Sequence, residues 1–146
     1  MCDVCLDDDD DEGNEILICE LCLGAVHQKC YGSELLKGIP KGDWFCARCT
    51  HLKAKKKLEC YEIQCEFCYD LKGMLKPIDD DKWAHLTCVR WLKGISFKDK
   101  KIEVFEGKTK VWVRTNCCQC NESGQYLLKC ENKDCDKHIH VRCGIE

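Results

Sequence analysis

Three times along the chain, a cysteine pair with the spacing Cys-x-x-Cys is followed by a His-x-x-Cys pair, and this repeat limits the possible folds more than any other feature. The three sets are Cys2/Cys5 with His27/Cys30, Cys65/Cys68 with His85/Cys88, and Cys117/Cys120 with His140/Cys143. Each set offers three thiolates and one imidazole, which together form a tetrahedral ligand set for structural zinc. The sequence therefore predicts a zinc site in each set.

Composition supports small cross-linked modules. Cysteine supplies 17 of the 146 residues, whereas the chain has only four Phe, four Tyr, four Trp and two Met. Because so few large apolar side chains cannot fill one large core, we expect modules in which cross-links replace a core. The cross-links could be disulfides, but an odd cysteine count and histidines at ligand spacing favour zinc. No signal peptide or transmembrane run is visible, so we expect a reduced, intracellular protein that does not bind membranes.

The first 50 residues contain eight candidate ligands, in the order four cysteines, one histidine and three cysteines. They are Cys2, Cys5, Cys19, Cys22, His27, Cys30, Cys46 and Cys49. Two zinc ions could be bound by consecutive ligand pairs or by alternate pairs, and the order alone does not decide between them. The spacing, the histidine position and the sequence Trp44-Phe45-Cys46 resemble a PHD finger. This resemblance implies a cross-brace, in which alternate pairs share a zinc ion, and it implies that Trp44 is a core residue.

A short strand is predicted at Glu15, Ile16, Leu17 and Ile18, where apolar residues with β-branched side chains precede a zinc ligand. In so small a module the edge of this strand is expected to be open, and an open edge can accept an extended peptide as an added strand. An acidic run precedes it, consisting of Asp7, Asp8, Asp9, Asp10, Asp11 and Glu12. Such a run is either a solvated loop or a contact surface for a basic peptide.

The PHD resemblance implies roles for several of these residues. In that family, acids at the position of the run face the first lysine of the histone H3 tail, and the acid at Glu20 faces the preceding arginine. The turn that contains Gly38, Pro40 and Gly42 resembles the loop that holds the free amino terminus of the peptide. Residues 1–43 contain a single aromatic residue, Tyr31. An aromatic cage for trimethyl-lysine is therefore not expected, and unmethylated lysine is the predicted ligand.

Charge is unevenly distributed: residues 1–50 carry 11 acids and 4 bases (net −7), and residues 51–146 carry 15 acids and 19 bases (net +4). Residues 51–59 are predicted to be a basic linker. Its lysines either are solvated or contact DNA. The candidate DNA-binding residues are Lys53, Lys55, Lys56, Lys57, Lys98, Lys100 and Lys101.

Residues 60–95 are predicted to form a zinc knuckle with one metal site. Its ligands are Cys65, Cys68, His85 and Cys88. The acids at residues 79–81 suit the start of a helix that would carry the last two ligands on one face. Trp83 and Trp91 are predicted to pack between the knuckle and a neighbouring module.

Residues 96–146 are predicted to form a third module. Ile102 and Val104, followed by Val111 and Val113 with Gly107 between them, predict a hairpin that enters this module. Six candidate ligands follow, again four cysteines, a histidine and a cysteine: Cys117, Cys120, Cys130, Cys135, His140 and Cys143.

From Cys65 onward the chain resembles an extended PHD finger, a knuckle joined to an atypical finger. That family uses one more ligand pair than this chain provides. By cross-brace logic, Cys130 and Cys135 form half of a fifth zinc site, incomplete within this chain. Cys60, Cys118, His51 and His138 are left without a predicted metal-binding role.

The order of finger, knuckle and atypical finger resembles the PHD, zinc-knuckle, PHD cassette of chromatin scaffold proteins of the bromodomain-and-PHD and JADE types. The predicted fold is a series of small zinc-stabilised α+β modules with little hydrophobic core and four complete zinc sites. The resemblance implies a non-catalytic nuclear reader of the H3 amino-terminal tail, with subunits of a histone-modifying complex as further partners. Binding to DNA or the nucleosome, or a purely structural role, is the alternative.

An enzyme is disfavoured, since catalytic zinc keeps an open coordination position and each complete set here has four protein ligands. A RING-type ubiquitin ligase also uses eight cross-braced ligands, but in the order three cysteines, one histidine and four cysteines. The order in residues 1–50 and the position of Trp44 favour the PHD finger.

Overall fold

The computed structural model describes residues 1–56, 63–98, 101–104, 115–123 and 126–145. Within these ranges regular secondary structure is short: strands have two to four residues and the longest helix has eight. None of the described helices is long and apolar enough to cross a membrane. The predicted class of small zinc-stabilised α+β modules is confirmed.

The first module contains one antiparallel strand pair and three short helices. Its elements are β1 (Ile16–Ile18), β2 (Ala25–His27), α1 (Gln28–Tyr31), α2 (Ser33–Leu36) and α3 (Ala47–Ala54). Strand β1 pairs with β2 in the register Ile16 to His27 and Ile18 to Ala25. Leu17 is buried while Ile18 is exposed, so one face of β1 covers the core.

The rest of the described chain also consists of antiparallel strand pairs and short helices. They are β3 (Leu75–Pro77), β4 (Trp83–His85), α4 (Leu86–Trp91), β5 (Ile95–Lys98), β6 (Lys101–Val104), β7 (Leu128–Lys129), β8 (His138–Ile139) and a 3₁₀ helix at Arg142–Gly144. Each of the pairs β3–β4, β5–β6 and β7–β8 is antiparallel. Every sheet in the described ranges therefore has two strands, and packing between modules completes the cores.

Two buried clusters form the core, and both cross the predicted module boundaries. The first contains Val26, Tyr31 and Leu35 of the first module together with Met74 and Leu86 of the knuckle. The second is centred on the knuckle and contains residues from the third module. Its larger members are Phe67, Leu75, Trp83, Ile95, Ile102 and Val141. The three modules therefore pack against one another.

A buried lysine lies at the contact between the first finger and the knuckle. Lys76, in β3, is fully buried, and its ammonium group contacts the carboxylate of Glu34 in α2. Its Nζ atom also lies 3.9 Å from the ring centroid of Tyr31 and 4.3 Å from that of Phe97. A buried ammonium requires such partners, because an unpaired charge is costly in a low-dielectric interior. These contacts join three segments that are distant in sequence.

Further polar contacts tie the modules together. The Thr87 hydroxyl donates a hydrogen bond to the Asp3 carbonyl oxygen at 2.9 Å, and the buried Arg48 guanidinium donates to the Leu71 carbonyl oxygen. The Arg142 guanidinium donates to the Asp70 carboxylate at 3.1 Å. Burial alone would raise the pKa of Asp70, but the Lys72 backbone N–H and Arg142 hold that pKa below its ordinary value.

The predicted basic linker begins inside a packed helix. Helix α3 runs to Ala54, four residues past the predicted end of the first module. Within it, Leu52 is buried and the His51 ring meets the Trp83 ring edge-on, with 5.2 Å between centroids. Residues 51–54 are therefore the last turn of α3, which contacts the knuckle through His51.

The predicted start of the knuckle helix was wrong. Residues Trp83–His85 form β4, and the helix α4 begins only at Leu86. The preceding acids make a turn between β3 and β4 in which Asp79 Oδ1 accepts hydrogen bonds from the backbone N–H groups of Asp81 and Lys82. An aspartate side chain can accept hydrogen bonds from backbone N–H groups two or three residues further on, which stabilises a turn. Here Asp79 makes these turn bonds and does not cap a helix.

One of the two tryptophan predictions was also wrong. Trp83 is buried, with 5% of its surface exposed, but Trp91 is 58% exposed. Trp91 is the last residue of α4, and the buried residues of this helix, Leu86–Val89, form its first turn. The helix is therefore buried at its beginning and exposed at its end, where Arg90 and Trp91 lie.

The strand at Ile102 pairs differently from the prediction. Strand β6 pairs with β5, so that Ile102 lies opposite Phe97 and Val104 opposite Ile95. Val111, Val113 and Gly107, which were predicted to complete a hairpin with β6, lie outside the described residues. The local partner β5 was missed although its sequence, Ile-Ser-Phe-Lys, alternates apolar and polar residues as a half-buried strand does.

Replacing the buried lysine tests the contact between finger and knuckle. Lys76→Ala should lower the free energy of unfolding by about 2–4 kcal/mol, because it leaves the Glu34 carboxylate without its cation. Lys98→Ala is the control, since Lys98 lies 3.8 Å from Glu103 in an exposed pair and its loss should cost less than about 1 kcal/mol. Urea denaturation at fixed free zinc measures both, and equal stability of the two variants would contradict this role for Lys76.

Candidate metal centres and peptide-binding edge

The structure brings each predicted four-ligand set together. Within each set, all ligand atoms lie within 4.8 Å of one another. The sets are Cys2/Cys5/His27/Cys30, Cys19/Cys22/Cys46/Cys49, Cys65/Cys68/His85/Cys88 and Cys117/Cys120/His140/Cys143. In the first module the pairs alternate, so the cross-brace arrangement is the one observed.

Four of the five Cys-x-x-Cys pairs are formed by the same turn, whereas the fifth, Cys46/Cys49, lies at the start of helix α3. The residue directly after the second cysteine has a positive φ in all four cases, between 57° and 64°: Leu6, Leu23, Tyr69 and Asn121. Its backbone N–H donates to the carbonyl oxygen of the first cysteine at 2.8–3.0 Å. This left-handed conformation is strained for residues other than Gly, Asn and Asp. The turn holds both sulfur atoms on one side of the backbone.

Backbone N–H groups also point at the sulfur atoms. The N–H groups of Val4 and His27 each lie 3.4 Å from Cys2 Sγ, and those of Phe67 and His85 lie at the same distance from Cys65 Sγ. Such donors stabilise a thiolate over a thiol. The local backbone therefore favours the charged form that binds a metal ion.

In the three mixed sites the imidazole presents its Nδ1 atom. Nδ1 of His27 lies 3.2 Å from Cys5 Sγ, Nδ1 of His85 lies 3.2 Å from Cys68 Sγ, and the corresponding distance for His140 and Cys120 is 3.4 Å. Each histidine ends or directly follows a strand, and the last cysteine of each set lies in the helix that follows. A strand-to-helix junction thus supplies the His-x-x-Cys pair each time.

Zinc fits the geometry of these sites. Zinc–sulfur bonds of about 2.3 Å give a tetrahedron with edges of about 3.8 Å. The Sγ atoms of Cys22 and Cys46 are 3.8 Å apart.

The charge of the sites also requires a cation. Burial, together with the charge of Cys2, raises the pKa of the Cys30 thiol to about 12, and burial raises that of Cys143 to about 12. Crowded thiols of this kind ionise together only when a cation compensates their charge. Zinc is the cofactor of this chain, where it supplies that charge and cross-links the backbone.

Cys130 and Cys135 are not part of a larger cluster among the described residues. Cys130 is exposed and Cys135 half-buried, and both lie in the loop between β7 and β8. The predicted half-site therefore remains a half-site in the described chain. Cys118 is exposed beside Cys117 and joins no cluster there, whereas Cys60 lies outside the described residues.

Strand β1 has a strand partner on one side only among the described residues. The acidic run folds against its first residue, since Asp10 Oδ1 accepts a hydrogen bond from the Ile16 backbone N–H at 2.8 Å. The backbone carbonyl oxygen of Asp9 lies 2.5 Å from Nε2 of His27, the residue of β2 that pairs with Ile16. The predicted strand and the predicted acids are thus neighbours in space.

The other candidate peptide contacts are exposed. The carboxylates of Asp7, Asp8 and Asp9 cluster in solvent. Residues Asp11, Glu12, Gly13 and Asn14 form an exposed turn before β1, and Glu15 is half-buried at its end. Glu20, also exposed, follows β1, and its backbone N–H donates to the Trp44 carbonyl oxygen at 3.0 Å. The turn with Gly38, Pro40 and Gly42 is exposed throughout.

The aromatic residues of the first module are used for packing. Tyr31 is buried, its hydroxyl oxygen accepts a hydrogen bond from the Ala47 N–H, and Trp44 packs edge-on against it with 5.0 Å between centroids. Burial strongly raises the pKa of the Tyr31 hydroxyl. Neither ring lies in β1 or in the acidic run.

The candidate DNA-binding lysines are spread over several segments. Lys53 Nζ lies 3.4 Å from the ring centroid of Phe45, and Lys98 pairs with Glu103. Lys55 and Lys56 are exposed. Lys57, Lys100 and the side chain of Lys101 lie outside what the structure describes.

Comparison with known proteins agrees with this geometry. Residues 2–49 match the PHD-finger family, and residues 63–146 match the PHD-zinc-finger-like domain. The chain belongs to the PHD-zinc-finger-like family.

Two relatives and one solved structure extend the likeness to the whole chain. Protein Jade-1 of Danio rerio is 32% identical over 151 residues, covering 99% of this chain and 17% of that protein. Bromodomain and PHD finger-containing protein 3 of Homo sapiens is 32% identical over 150 residues, covering 99% of this chain and 12% of that protein. The crystal structure of zebrafish PHF14-PZP has a TM-score of 0.73 and 25% identity over 98% of this chain and 72% of that one. This chain thus spans less than a fifth of either relative.

Metal stoichiometry tests the ligand sets. Native mass spectrometry should find four firmly bound zinc ions, because four clusters each have four protein ligands. Cys143→Ala should lose one ion, whereas Cys118→Ala, at an exposed cysteine outside the clusters, should keep four. Loss of an ion from the Cys118 variant, or a fifth firmly bound ion, would show that the ligand sets are wrong.

A glycine substitution tests the strained turns. Leu23→Gly should leave stability unchanged or raise it by up to about 1 kcal/mol, since glycine adopts φ near 59° without the left-handed penalty of about 1–2 kcal/mol. Leu23 is 74% exposed, so little burial is lost.

Leu36→Gly is the matched control for this substitution. Leu36 is 55% exposed but lies in helix α2, where glycine is unfavourable. Thermal melts at fixed zinc should rank Leu23→Gly above Leu36→Gly, and the opposite order would refute strain at the turn.

Proposed function

We propose that this chain is a non-catalytic chromatin reader whose first finger binds the histone H3 amino-terminal tail with its first lysine unmethylated. The observation that carries the proposal is the edge of β1, which has one strand partner in the described structure and is bordered by exposed carboxylates. An extended peptide adds to such an edge through backbone hydrogen bonds, and its side chains then meet the flanking groups.

The carboxylates suit a peptide rich in amino groups. An unmethylated lysine has three N–H donors, each of which can make a charge-assisted hydrogen bond to an acid such as Asp10. Each methyl group removes one donor, and trimethyl-lysine instead needs aromatic faces. Tyr31 and Trp44 pack edge-on against each other in the core of the first finger. The composition of the site therefore favours the unmethylated form.

Membership of the PHD-zinc-finger-like family and the names of the relatives support a role at chromatin. We extend this to a nuclear location and to partners within a histone-modifying complex. The non-catalytic part of the proposal rests on the four zinc sets, each with four protein ligands and thus with the composition of structural sites.

Calorimetry with a graded series of H3 amino-terminal peptides tests the proposal. Affinity should fall from unmodified through monomethylated to trimethylated first lysine, because donors are lost stepwise. Acetylation of the peptide amino terminus should abolish binding. Equal or tighter binding of the trimethylated peptide would refute the proposed specificity.

A pair of variants locates the site. Glu20→Ala should weaken binding of the unmodified peptide by roughly 1–3 kcal/mol through loss of an acceptor for the peptide arginine. Glu131→Ala, at an exposed acid of the third module, is the charge-matched control and should bind normally. If both variants bind duplex DNA but neither they nor the parent chain bind any H3 peptide, the DNA-binding alternative replaces this proposal.

A further inference from the structure

A groove of about 700 Å³ lies between the first finger and the knuckle. Helix α3 and the residues before it form one wall, and the turn between β3 and β4 forms the other. Neither β1 nor the acidic run 7–12 contributes to the described lining. Its volume is in the range of about 300–1,000 Å³ that holds a ligand group. The groove is therefore a concave surface separate from the H3 site proposed above.

Aromatic rings line much of this groove. Trp44 and Phe45 are half-buried, and Tyr31 and Trp83 lie deeper. Two rings of the lining already contact ammonium groups of this chain: Lys53 Nζ lies 3.4 Å from the centroid of Phe45, and Lys76 Nζ lies 3.9 Å from that of Tyr31. Ring faces attract cations through their quadrupole. The lining has the electronic character of a cation-binding surface.

Acidic groups dominate the charges of the lining. Three consecutive aspartates, Asp79–Asp81, belong to the described lining, whereas Lys55 is its one lysine. The Glu34 carboxylate also lines the groove but is paired with Lys76. Asp79 Oδ1 fixes the turn by accepting backbone N–H groups, which holds the exposed Asp80 and Asp81 at this wall. Carboxylates beside aromatic faces repel anions and attract alkylammonium or guanidinium groups.

We infer that this groove is a second binding site, which takes a lysine or arginine side chain of a basic peptide segment. The cation meets the carboxylates of Asp80 and Asp81, and the alkyl stem packs on the half-buried ring of Trp44, since Lys53 already lies over the Phe45 ring. This site goes beyond the proposed reading of the H3 amino terminus, because it needs neither a free peptide amino terminus nor the edge of β1.

The test uses the whole zinc-loaded chain and a short peptide of alternating lysine and glycine, acetylated at its amino terminus and amidated at its carboxyl terminus. Acetylation removes the group that the H3 site requires. In ¹⁵N-edited spectra the indole N–H signals of Trp44 and Trp83 should shift on titration, while that of Trp91, outside the groove, should not. A glutamate–glycine peptide should cause no shifts.

A charge-matched pair of double variants completes the test. Asp80→Asn with Asp81→Asn should weaken binding of the lysine peptide roughly threefold to tenfold. Glu131→Gln with Asp134→Asn removes the same charge from exposed positions outside the groove lining and should leave affinity unchanged.

Equal weakening by both double variants, or unchanged binding by the first, would overturn the inference. So would shifts of Trp91 as large as those of Trp83, or equal binding of the glutamate peptide. In either case, H3 binding that depends on Glu20 would still stand, so failure here is distinguishable from failure of the proposed function.

Discussion

Zinc coordination by four protein ligands is the interaction on which the rest of this structure depends. The described strands have two to four residues, too short to be stable alone. A structural zinc site contributes apparent binding energy of roughly 10–16 kcal/mol in small zinc-finger peptides, which far exceeds what such strands provide. The strained residues after four of the Cys-x-x-Cys pairs, Leu23 among them, persist because the metal holds both neighbouring sulfur atoms in place.

The zinc sites fix each module, and a small set of buried contacts fixes the modules to one another. Lys76 makes several of these contacts, because its ammonium group lies against the Glu34 carboxylate and the rings of Tyr31 and Phe97. Gly32 is required at the same contact: its φ is +130°, and a Cβ atom there would lie 2.4 Å from the Phe97 ring. The groove between finger and knuckle exists because these contacts set the distance between its walls.

Much of this architecture could be predicted from the sequence, because ligand spacing is a local signal with a strict chemical meaning. The ligand pairs and strand β1 were visible in that way, whereas the alternate pairing in the first module was implied by the resemblance to a PHD finger. The turn at Asp79–Asp81 could not be predicted, because aspartates are common both at the start of a helix and in a tight turn. The burial of Lys76 was equally hidden, because its partners Glu34, Tyr31 and Phe97 are distant along the chain. Trp91 shows the converse, an apolar residue left exposed at the end of a helix whose first turn is buried.

The dependence of folding on zinc is tested most directly by recording amide proton spectra of the whole chain during stepwise removal of zinc with a chelator. We expect dispersed signals from all three modules to collapse to the narrow range of an unfolded chain, and to return when zinc is restored. Retention of the dispersed spectrum after complete zinc removal would contradict the account, because folding would then not depend on the metal.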